Sequence, residues 1–481
     1  MTSQLTGFFN RTSTIQWCIL IFLVNILFRL INITHGSYFL DETANLWHYQ
    51  QDLGTVMTRS LNDPNPPVYG SLIWGWIQIF GVSELSTRLF SVICIAFCGV
   101  VLFVFSKRHL NLKIALIASS FFLFSHYLFH YSHAARPYAL ICLEVTVSYF
   151  FLFEYIRNKT SSWLLAYFLI NIILLYTHPT QVFNLMAHGI YMLVFITKDF
   201  KLMLKVWGAI ALAVLVYFIW YSISPFFDKP KETWFDTPNW KIFKFTLSRL
   251  FDGLWLPITL LIGGIISIGL YVRKKIEFNH KAKLTLLICC WVLLPIAFNY
   301  IFSEITGVSI FSGQYLITVV PGFYVLLAIT IYFLAQNFFK PLAYISVIIC
   351  VLMAVSINYE SNFREDWRGA VDFAKENQIE NTAIFVSPQY QNRSFAYYYN
   401  QSFYEDYNNT FRLLDSCHVY LERTTPIENL IQNEEYDRLI IVIASKHPKK
   451  NPNFKFAASK STLIQQEGFG SLNVYLFNTT Y

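Results

Sequence analysis

The sequence predicts a polytopic α-helical membrane protein with about eleven transmembrane helices and a small C-terminal soluble domain of α/β or α+β type. The composition is 55% apolar and only 14% charged, whereas soluble domains usually carry about 25% charged residues. Long apolar runs fill residues 1–357, and residues 358–481 have an ordinary soluble composition. We therefore expect a transmembrane domain over 1–357 and a soluble domain over 358–481.

The predicted transmembrane helices rest on apolar runs, since crossing a membrane takes roughly 20 such residues. The first run follows Arg11; it is too long for a signal-peptide core and no small-residue cleavage site follows it. We interpret it as a retained first span. The candidate spans are 15–34, 86–106, 113–131, 138–156, 163–177, 180–197, 203–222, 254–272, 284–302, 314–335 and 340–357.

The segment 67–80 decides the topology. It is apolar but only about 14 residues long, which suits an interfacial or re-entrant helix better than a span. If it does not cross, the basic residues of the short loops fall on the same side as Arg11, which the positive-inside rule makes cytoplasmic. These residues are Arg11, Lys107, Arg108, Lys113, Arg157, Lys159, Lys198, Lys201, Lys205, Arg273, Lys274, Lys275, Lys281 and Lys283. The net charge of +7 is then explained without a nucleic-acid partner.

This topology places the N-terminus in the cytoplasm and the C-terminal domain outside. Long outer loops at 35–85 and 223–253 carry Trp, Tyr and Pro, whereas the inner loops are short and basic. We therefore expect the functional apparatus on the outer face, with 35–85 as its main loop.

The C-terminal domain combines short apolar runs typical of strands with one amphipathic helix. The predicted strands are 383–387, 439–444 and 472–477, and the predicted helix is 366–376. Seven of the eight cysteines lie in apolar runs and only Cys417 lies in this domain, which excludes a disulfide within it. The cysteine spacing does not suggest a zinc site.

Two adjacent acids, Asp41 and Glu42, directly follow the first span. Acids at a membrane surface are solvated or functional, and neighbours on a helix point about 100° apart, so we do not expect the pair to share one role. The alternative is a helix cap, for which Asp is well suited.

Further candidates lie in the later outer turns. Asn65 precedes two prolines that set a turn before 67–80. His126, His130 and His133 share helical spacing, which suits either a metal or the polar lining of a groove. Arg136, alone at the outer end of a span, suits either a phosphate clamp or contact with lipid headgroups. Weaker candidates are His178, Gln314 with Tyr315, and Trp367 with Arg368.

Taken in order, these pieces resemble the GT-C membrane glycosyltransferases, and within them the group of protein O-mannosyltransferases, lipid A aminoarabinose transferases and bacterial dolichyl-phosphate-mannose mannosyltransferase-like enzymes. The resemblance is firm over 37–140 and thinner afterwards. The first matching stretches are Asp41-Glu42 and Asn65-Pro66-Pro67-Val68-Tyr69, the second of which is similar to the family's His-Pro-Pro-Leu-Tyr. Next come Phe80-Gly81 with Arg88-Leu89-Phe90, and then Ser132-His133-Ala134-Ala135-Arg136-Pro137-Tyr138, which is similar to S-R-E-A-R-x-Y. The last matching stretch is Asp366-Trp367-Arg368.

The chain departs from the family pattern at three positions. Asn65 replaces the usual His or Lys, His133 replaces a frequent Arg, and Gln314 stands where many relatives have Arg before Tyr. These departures bear on the donor's head group and its phosphate contacts, and they leave the acid in place.

The resemblance implies an inverting transferase of the inner (plasma) membrane whose first-loop acid, here Asp41, is the general base, with Glu42 beside it. The donor is a polyprenyl-phosphate sugar and the acceptor a lipid, glycan or protein. Expected donor-binding residues are Arg136, Asn65, His133, Tyr138, His178, Gln314 and Tyr315. No cofactor is expected to be required, because Arg can stabilise a monophosphate leaving group without a divalent metal.

Two other functions stay open on the sequence alone. A transporter or flippase of a lipid-linked sugar usually shows paired halves and ionisable residues in mid-span, and neither pattern is apparent. A non-catalytic membrane scaffold presenting the outer domain leaves Asp41 and Arg136 without a role. The same acid also suits a ligase or polymerase of another lipid-linked polymer pathway.

Overall fold

A computed structural model describes residues 13–196, 199–228, 236–273, 280–357, 365–422, 425–432, 436–445 and 447–479. Arg11, Lys198, Lys274 and Lys275 of the topology argument lie outside these residues. The chain divides into a membrane unit of residues 1–31, 57–72 and 88–357 and a terminal unit of residues 32–56, 73–87 and 358–481. The predicted division at 357 counts 32–56 and 73–87 with the membrane helices, whereas the compact units group them with the C-terminal part of the chain.

The first 357 residues are helical wherever a span is predicted, and each of the candidate runs coincides with at least one helix. The segment 67–80 is a helix as well. The helices are α1 Thr14–Arg29, α2 Leu40–Tyr49, α3 Leu53–Leu61, α4 Pro67–Phe80, α5 Glu84–His109, α6 Leu112–Leu123, α7 His126–Ser132, α8 Tyr138–Asn158, α9 Ser161–Thr177, α10 Val182–Phe195, α11 Phe200–Ile223, α12 Trp240–Leu250, α13 Trp255–Arg273, α14 His280–Thr306, α15 Gly313–Leu316, α16 Val320–Asn337 and α17 Leu342–Ser356.

Not all of these helices are long enough to cross a membrane alone. Within the described residues, five are, and the number rises to seven if each of two bent pairs counts as one span. The pairs are α6 with α7, bent by 59°, and α12 with the first part of α13, bent by 87°. Helices α1, α9 and the described part of α17 are apolar but shorter. A count of about eleven spans therefore stays a prediction.

The break between α6 and α7 has a local cause. Ser125 adopts an extended conformation, and its hydroxyl accepts a hydrogen bond from the Leu128 amide at 3.3 Å. This N-cap begins a new helix in a new direction. As a result, α7 is a separate short helix, and the turn from His133 to Pro137 follows it.

The terminal unit contains a mixed five-stranded sheet in the order β2-β1-β3-β5-β4. Strands β2, β1 and β3 are parallel, and β5 and β4 are antiparallel to their neighbours. The strands are β1 Thr382–Ser387, β2 Val419–Leu421, β3 Arg438–Ala444, β4 Thr462–Phe469 and β5 Leu472–Asn478, and the helices are α18 Trp367–Asn377, α19 Asn392–Tyr399, α20 Gln401–Glu405, α21 Thr410–Asp415, α22 Ile427–Gln432 and α23 Pro452–Lys460.

Helices cover both faces of this sheet. On one face α18 to α21 pack against Ile384, Val386, Ile440 and Val442, and on the other α22 and α23 pack against the intervening strand residues. The Asp366-Trp367-Arg368 stretch shapes the first helix. The Asp366 carboxylate accepts from the Gly369 amide, Trp367 is fully buried in the core, and Arg368 pairs with Glu84. The three predicted strands and the predicted helix are all present.

Candidate active site

The adjacent acids at the start of α2 have different surroundings. Asp41 is exposed, whereas Glu42 is fully buried. An oxygen of the Glu42 carboxylate accepts the Phe39 amide hydrogen at 3.1 Å, which satisfies one of the backbone donors at the beginning of the helix. The helix-cap role considered for this pair therefore falls to Glu42 and leaves the Asp41 side chain on the open side of the helix.

Helix α2 is fixed against the helices of the terminal unit. The Thr43 carbonyl accepts from the Tyr404 hydroxyl at 2.6 Å, and the Thr43 hydroxyl bonds the Ser394 hydroxyl at 2.7 Å. One turn later, Trp47 stacks on Tyr407 with ring centres 4.1 Å apart. These contacts lie within two turns of Asp41, so the terminal unit sets the position of that carboxylate.

In the membrane unit, three separate turns bring polar side chains together. Arg136 lies in the turn between α7 and α8; its guanidinium carbon is 5.6 Å from the centre of the Tyr138 ring, and Nη2 donates to the Tyr138 hydroxyl at 3.4 Å. His178, in the turn after α9, lies with its ring centre 4.7 Å from that of Tyr315 in α15. The Tyr138 and Tyr315 ring centres are 6.5 Å apart. We call Arg136, Tyr138, His178 and Tyr315 the arginine cluster.

His178 is a neutral member of this cluster. Burial, with a smaller contribution from the positive charge of Arg136, lowers its pKa to about 3. Its Nδ1 bonds the Thr180 hydroxyl at 2.8 Å, and the Gln181 side chain reaches the Tyr315 carbonyl at 3.5 Å. The cluster therefore combines one permanent cation with neutral hydrogen-bonding groups, a set suited to one phosphate monoester.

The three histidines of α7 and its C-terminal turn do not act as one set. His126 Nε2 bonds the Met353 carbonyl at 2.8 Å, and His133 Nε2 bonds the Arg29 carbonyl at 2.7 Å. Burial, with smaller contributions from the charges of Arg88 and Arg29, lowers the pKa of His133 to about 4 although its hydrogen bond to the Arg29 carbonyl raises it, so His133 is a neutral donor to the end of α1. Among the described residues, no group of three or more His, Cys, Asp or Glu side chains is placed to hold a metal ion.

Asn65 and Gln314 occupy the predicted turns. The Asn65 amide group donates to the Asp63 carboxylate at 2.7 Å, and Asp63 in turn pairs with Arg59 at 2.7 Å. These contacts are those of a structural turn that precedes α4. Gln314 is partly buried and directly precedes Tyr315 in α15. Binding roles for Asn65, Gln314 and His133 stay predictions.

The sequence did not single out two polar residues of the membrane unit that make long-range contacts. Arg29 is fully buried and donates to the Asn25 side chain at 2.7 Å and to the Phe122 carbonyl at 3.1 Å. Asp252 accepts from the Tyr324 hydroxyl at 2.6 Å and from the Tyr127 amide at 3.0 Å. In the sequence, Arg29 stands at the end of an apolar run and Asp252 stands before a glycine, and both patterns are typical of surface residues. Only the three-dimensional structure shows their contacts with distant residues.

Comparison with known proteins gives a family match over part of the chain and a similar fold. Residues 64–221 match the sequence model of the family described as dolichyl-phosphate-mannose-protein mannosyltransferase. The fold is similar to ArnT from Cupriavidus metallidurans in the apo state, with a TM-score of 0.58, 10% identity and coverage of 98% of this chain and 99% of ArnT. ArnT bound to undecaprenyl phosphate gives a TM-score of 0.55, 12% identity and coverage of 96% and 98%. A search of curated proteins finds no match.

A more distant similarity is to the oligosaccharyltransferase AglB from Archaeoglobus fulgidus, in complex with an inhibitory peptide and a dolichol-phosphate. That match has a TM-score of 0.49 and 10% identity and covers 95% of this chain and 74% of AglB. The sequence match over 64–221 and the ArnT-like fold of nearly the whole chain are two separate similarities. The chain is similar to the protein mannosyltransferases in the sequence of 64–221 and to the aminoarabinose transferase ArnT in fold, which agrees with its resemblance to the GT-C membrane glycosyltransferases.

Proposed function

We propose that this protein transfers a sugar from a polyprenyl-phosphate donor to an acceptor on the outer face of the inner membrane, with inversion at the anomeric carbon. The arginine cluster is the single observation that carries the proposal, because it gathers a cation and neutral hydrogen-bonding groups from three turns of an ArnT-like fold. ArnT itself has been seen bound to undecaprenyl phosphate, which supports a polyprenyl phosphate as the lipid carrier here.

In the proposed reaction, Asp41 takes the proton of the acceptor hydroxyl or amine as that atom attacks the anomeric carbon. The bond between that carbon and the phosphate oxygen breaks, and the polyprenyl phosphate leaves with the bonding electrons. Arg136 stabilises the charge that develops on the leaving phosphate, and Tyr138, Tyr315 and His178 contribute neutral hydrogen-bonding groups. We propose that the leaving group needs no divalent metal.

The direct test is product analysis with the purified protein in lipid nanodiscs and polyprenyl-phosphate sugars as donors. Mass spectrometry should detect free polyprenyl phosphate together with an acceptor heavier by one sugar. A flippase moves the intact lipid-linked sugar between leaflets without cleaving it, and a scaffold does neither. Intact donor in every reaction, with flipping in a leaflet-asymmetry assay, contradicts the transferase.

The role of Arg136 has a test of its own. Hydrogen bonds to charged groups contribute about 1.5–3 kcal/mol, so Arg136→Lys, which keeps the charge and loses the two-pronged fork, should weaken donor binding about 10- to 100-fold. Arg136→Ala should weaken it further. Arg412→Lys, at an exposed position of α21, is the control. Unchanged binding of polyprenyl phosphate to both Arg136 variants excludes this role.

A further inference from the structure

The sheet of the terminal unit contains a feature that the transfer chemistry does not use. Its strand order begins β2-β1-β3, all parallel. The chain leaves β1 through α19 to α21 on one face and leaves β3 through α23 on the other. Neighbouring parallel strands whose connections depart to opposite faces open a crevice at their carboxyl ends, where open α/β sheets bind ligands.

Polar side chains from the end of β1 and from the segments that follow β2 and β3 meet at this end of the sheet. Ser387, the last residue of β1, is fully buried, and its hydroxyl lies 3.2 Å from the carboxylate of Glu422, which follows β2. The Ser387 hydroxyl also accepts from the Asn451 amide at 3.2 Å and from the Asn453 amide at 3.4 Å. Asn453 donates to the second Glu422 oxygen at 2.8 Å. We call Ser387, Glu422, Asn451 and Asn453 the edge cluster.

An aromatic ring stands beside the edge cluster. Tyr390, three residues after β1, is 49% exposed. Burial of its inner side, together with the carboxylates of Glu365 and Glu422, raises its pKa, and the side chain of the neighbouring Gln391 donates to Glu365 at 3.5 Å. Glu365 is held in turn by the Trp367 indole at 2.7 Å. The crevice therefore offers a half-open aromatic surface among carboxylate, amide and hydroxyl groups.

The charges and hydrogen-bonding groups of this crevice determine which class of ligand it can bind. An anionic phosphate or nucleotide is disfavoured, since two carboxylates face the site and Ser387-Pro388-Gln389 replaces a glycine-rich phosphate loop. Carboxylates accept hydrogen bonds and amide groups both accept and donate them, so together they pair with vicinal hydroxyls, and an aromatic ring packs against the C–H face of a sugar. We infer that the carboxyl edge of β1 and β3 is a saccharide-binding site that recognises the acceptor of the proposed transfer. The identity of the ligand as an acceptor rests on the proposed function.

The test uses the full-length protein in nanodiscs and neutral di- and trisaccharides of glucose, mannose, galactose and N-acetylglucosamine. Saturation-transfer NMR should show binding of at least one of them. Tyr390→Ala should weaken that binding about tenfold, the equivalent of about 1.4 kcal/mol, and Tyr390→Phe should preserve most of it. Because Tyr390 is half-exposed and outside the edge cluster, its replacement leaves the hydrogen bonds of the fold in place.

A matched control lies at the opposite, amino end of the same strands. There Asn381 donates to the Asp437 carboxylate at 3.2 Å, an acid–amide pair outside the crevice. Asp437→Asn should leave saccharide binding unchanged. Absence of binding by every saccharide, or equal weakening by Tyr390→Ala and Asp437→Asn, overturns the inference.

Two kinetic results separate this inference from the proposed function. In transfer assays with a saccharide that binds, Tyr390→Ala should raise the KM for the acceptor and leave the KM for the donor unchanged. If the donor KM rises instead, the site holds the donor's sugar and the inference is wrong. If a saccharide binds through Tyr390 but no transfer occurs with any donor, the site stands as a saccharide site and the proposed function fails.

Discussion

Asp41 and Glu42 show how one helical step separates two identical functional groups. The Glu42 carboxylate is fully buried and bonded to the backbone at the beginning of α2, whereas Asp41 is exposed. A carboxylate engaged in a cap has given up one acceptor oxygen, and burial keeps it from an incoming acceptor. Only Asp41 retains the access that a general base needs.

We therefore predict that Asp41→Asn lowers the transfer rate by about 10² to 10⁴, the usual contribution of a positioned general base. The change is nearly isosteric at an exposed position, so the thermal midpoint should not move. Glu42→Gln should do the reverse, with a lower midpoint and measurable turnover. Single-turnover transfer and thermal unfolding on the same preparations are the measurements. A wild-type transfer rate in Asp41→Asn contradicts the proposed mechanism. If Glu42→Gln is inactive but has normal stability, Glu42 rather than Asp41 is the general base.

His178 leads to a prediction about pH. Its pKa is about 3 in the folded protein against about 6.5 in an unfolded chain. Below pH 6.5 the unfolded state therefore binds more protons than the folded state, and folding stability falls as the pH falls, by up to about 1.4 kcal/mol per pH unit. Above pH 6.5 the contribution is fully present and constant.

The measurement is thermal unfolding in detergent between pH 7.5 and 5. His178→Asn, which keeps hydrogen-bonding capacity without the titration, should lose less of its midpoint over this range than the wild type does. His35→Asn, at an exposed position, is the control and should follow the wild type. Equal slopes for His178→Asn and the wild type mean that the pKa of His178 does not differ between the folded and the unfolded protein, which contradicts the prediction.

At the level of elements, α2 depends on residues far away in sequence. Tyr404 is fully buried and donates to the Thr43 carbonyl, so we predict that Tyr404→Phe loosens α2 by about 1 kcal/mol, the usual net value of one hydrogen bond. Amide hydrogen exchange over residues 40–49 should rise about fivefold, with a lower turnover number. Tyr399→Phe removes a similar bond, to Gln378 at 2.9 Å, and should leave α2 unchanged. Equal exchange in the two variants contradicts this anchoring.

The elements that the sequence predicted are those with a strong local signal. Long apolar runs coincide with helices, and β1, β3 and β5 are buried apolar strands. The two missed strands have no such signal. Strand β2 has only three residues, and β4, Thr462–Phe469, is an edge strand that is exposed along nearly its whole length. Pairing with a neighbour, which a sequence does not display, creates both strands.

At the level of the whole molecule, long-range contacts decide what local patterns could not. The motif order around Asp41 and Arg136 indicated the GT-C type, and the family match over 64–221 includes Arg136. The grouping of 32–56 with the C-terminal unit depends on residues more than 300 positions apart, such as Thr43 with Ser394. The strand order depends on pairing between strands that are not consecutive along the chain, such as β1 with β3. Local hydropathy is blind to such pairs, so the edge cluster was invisible in the sequence.

The orientation of the chain in the membrane is the broadest prediction. The excess of Lys and Arg in alternate loops places those loops in the cytoplasm, and Asp41 and the terminal unit then face outside. Pro67–Phe80 is a helix of 14 residues, which is too short for a span of about 20.

In a cysteine-free background, Asn408→Cys should react with a membrane-impermeant maleimide in intact cells, and Lys281→Cys only after permeabilisation. Both positions are exposed, so access to the reagent is the only variable. The opposite labelling pattern requires Pro67–Phe80 to cross the membrane and moves the proposed transfer to the cytoplasmic face.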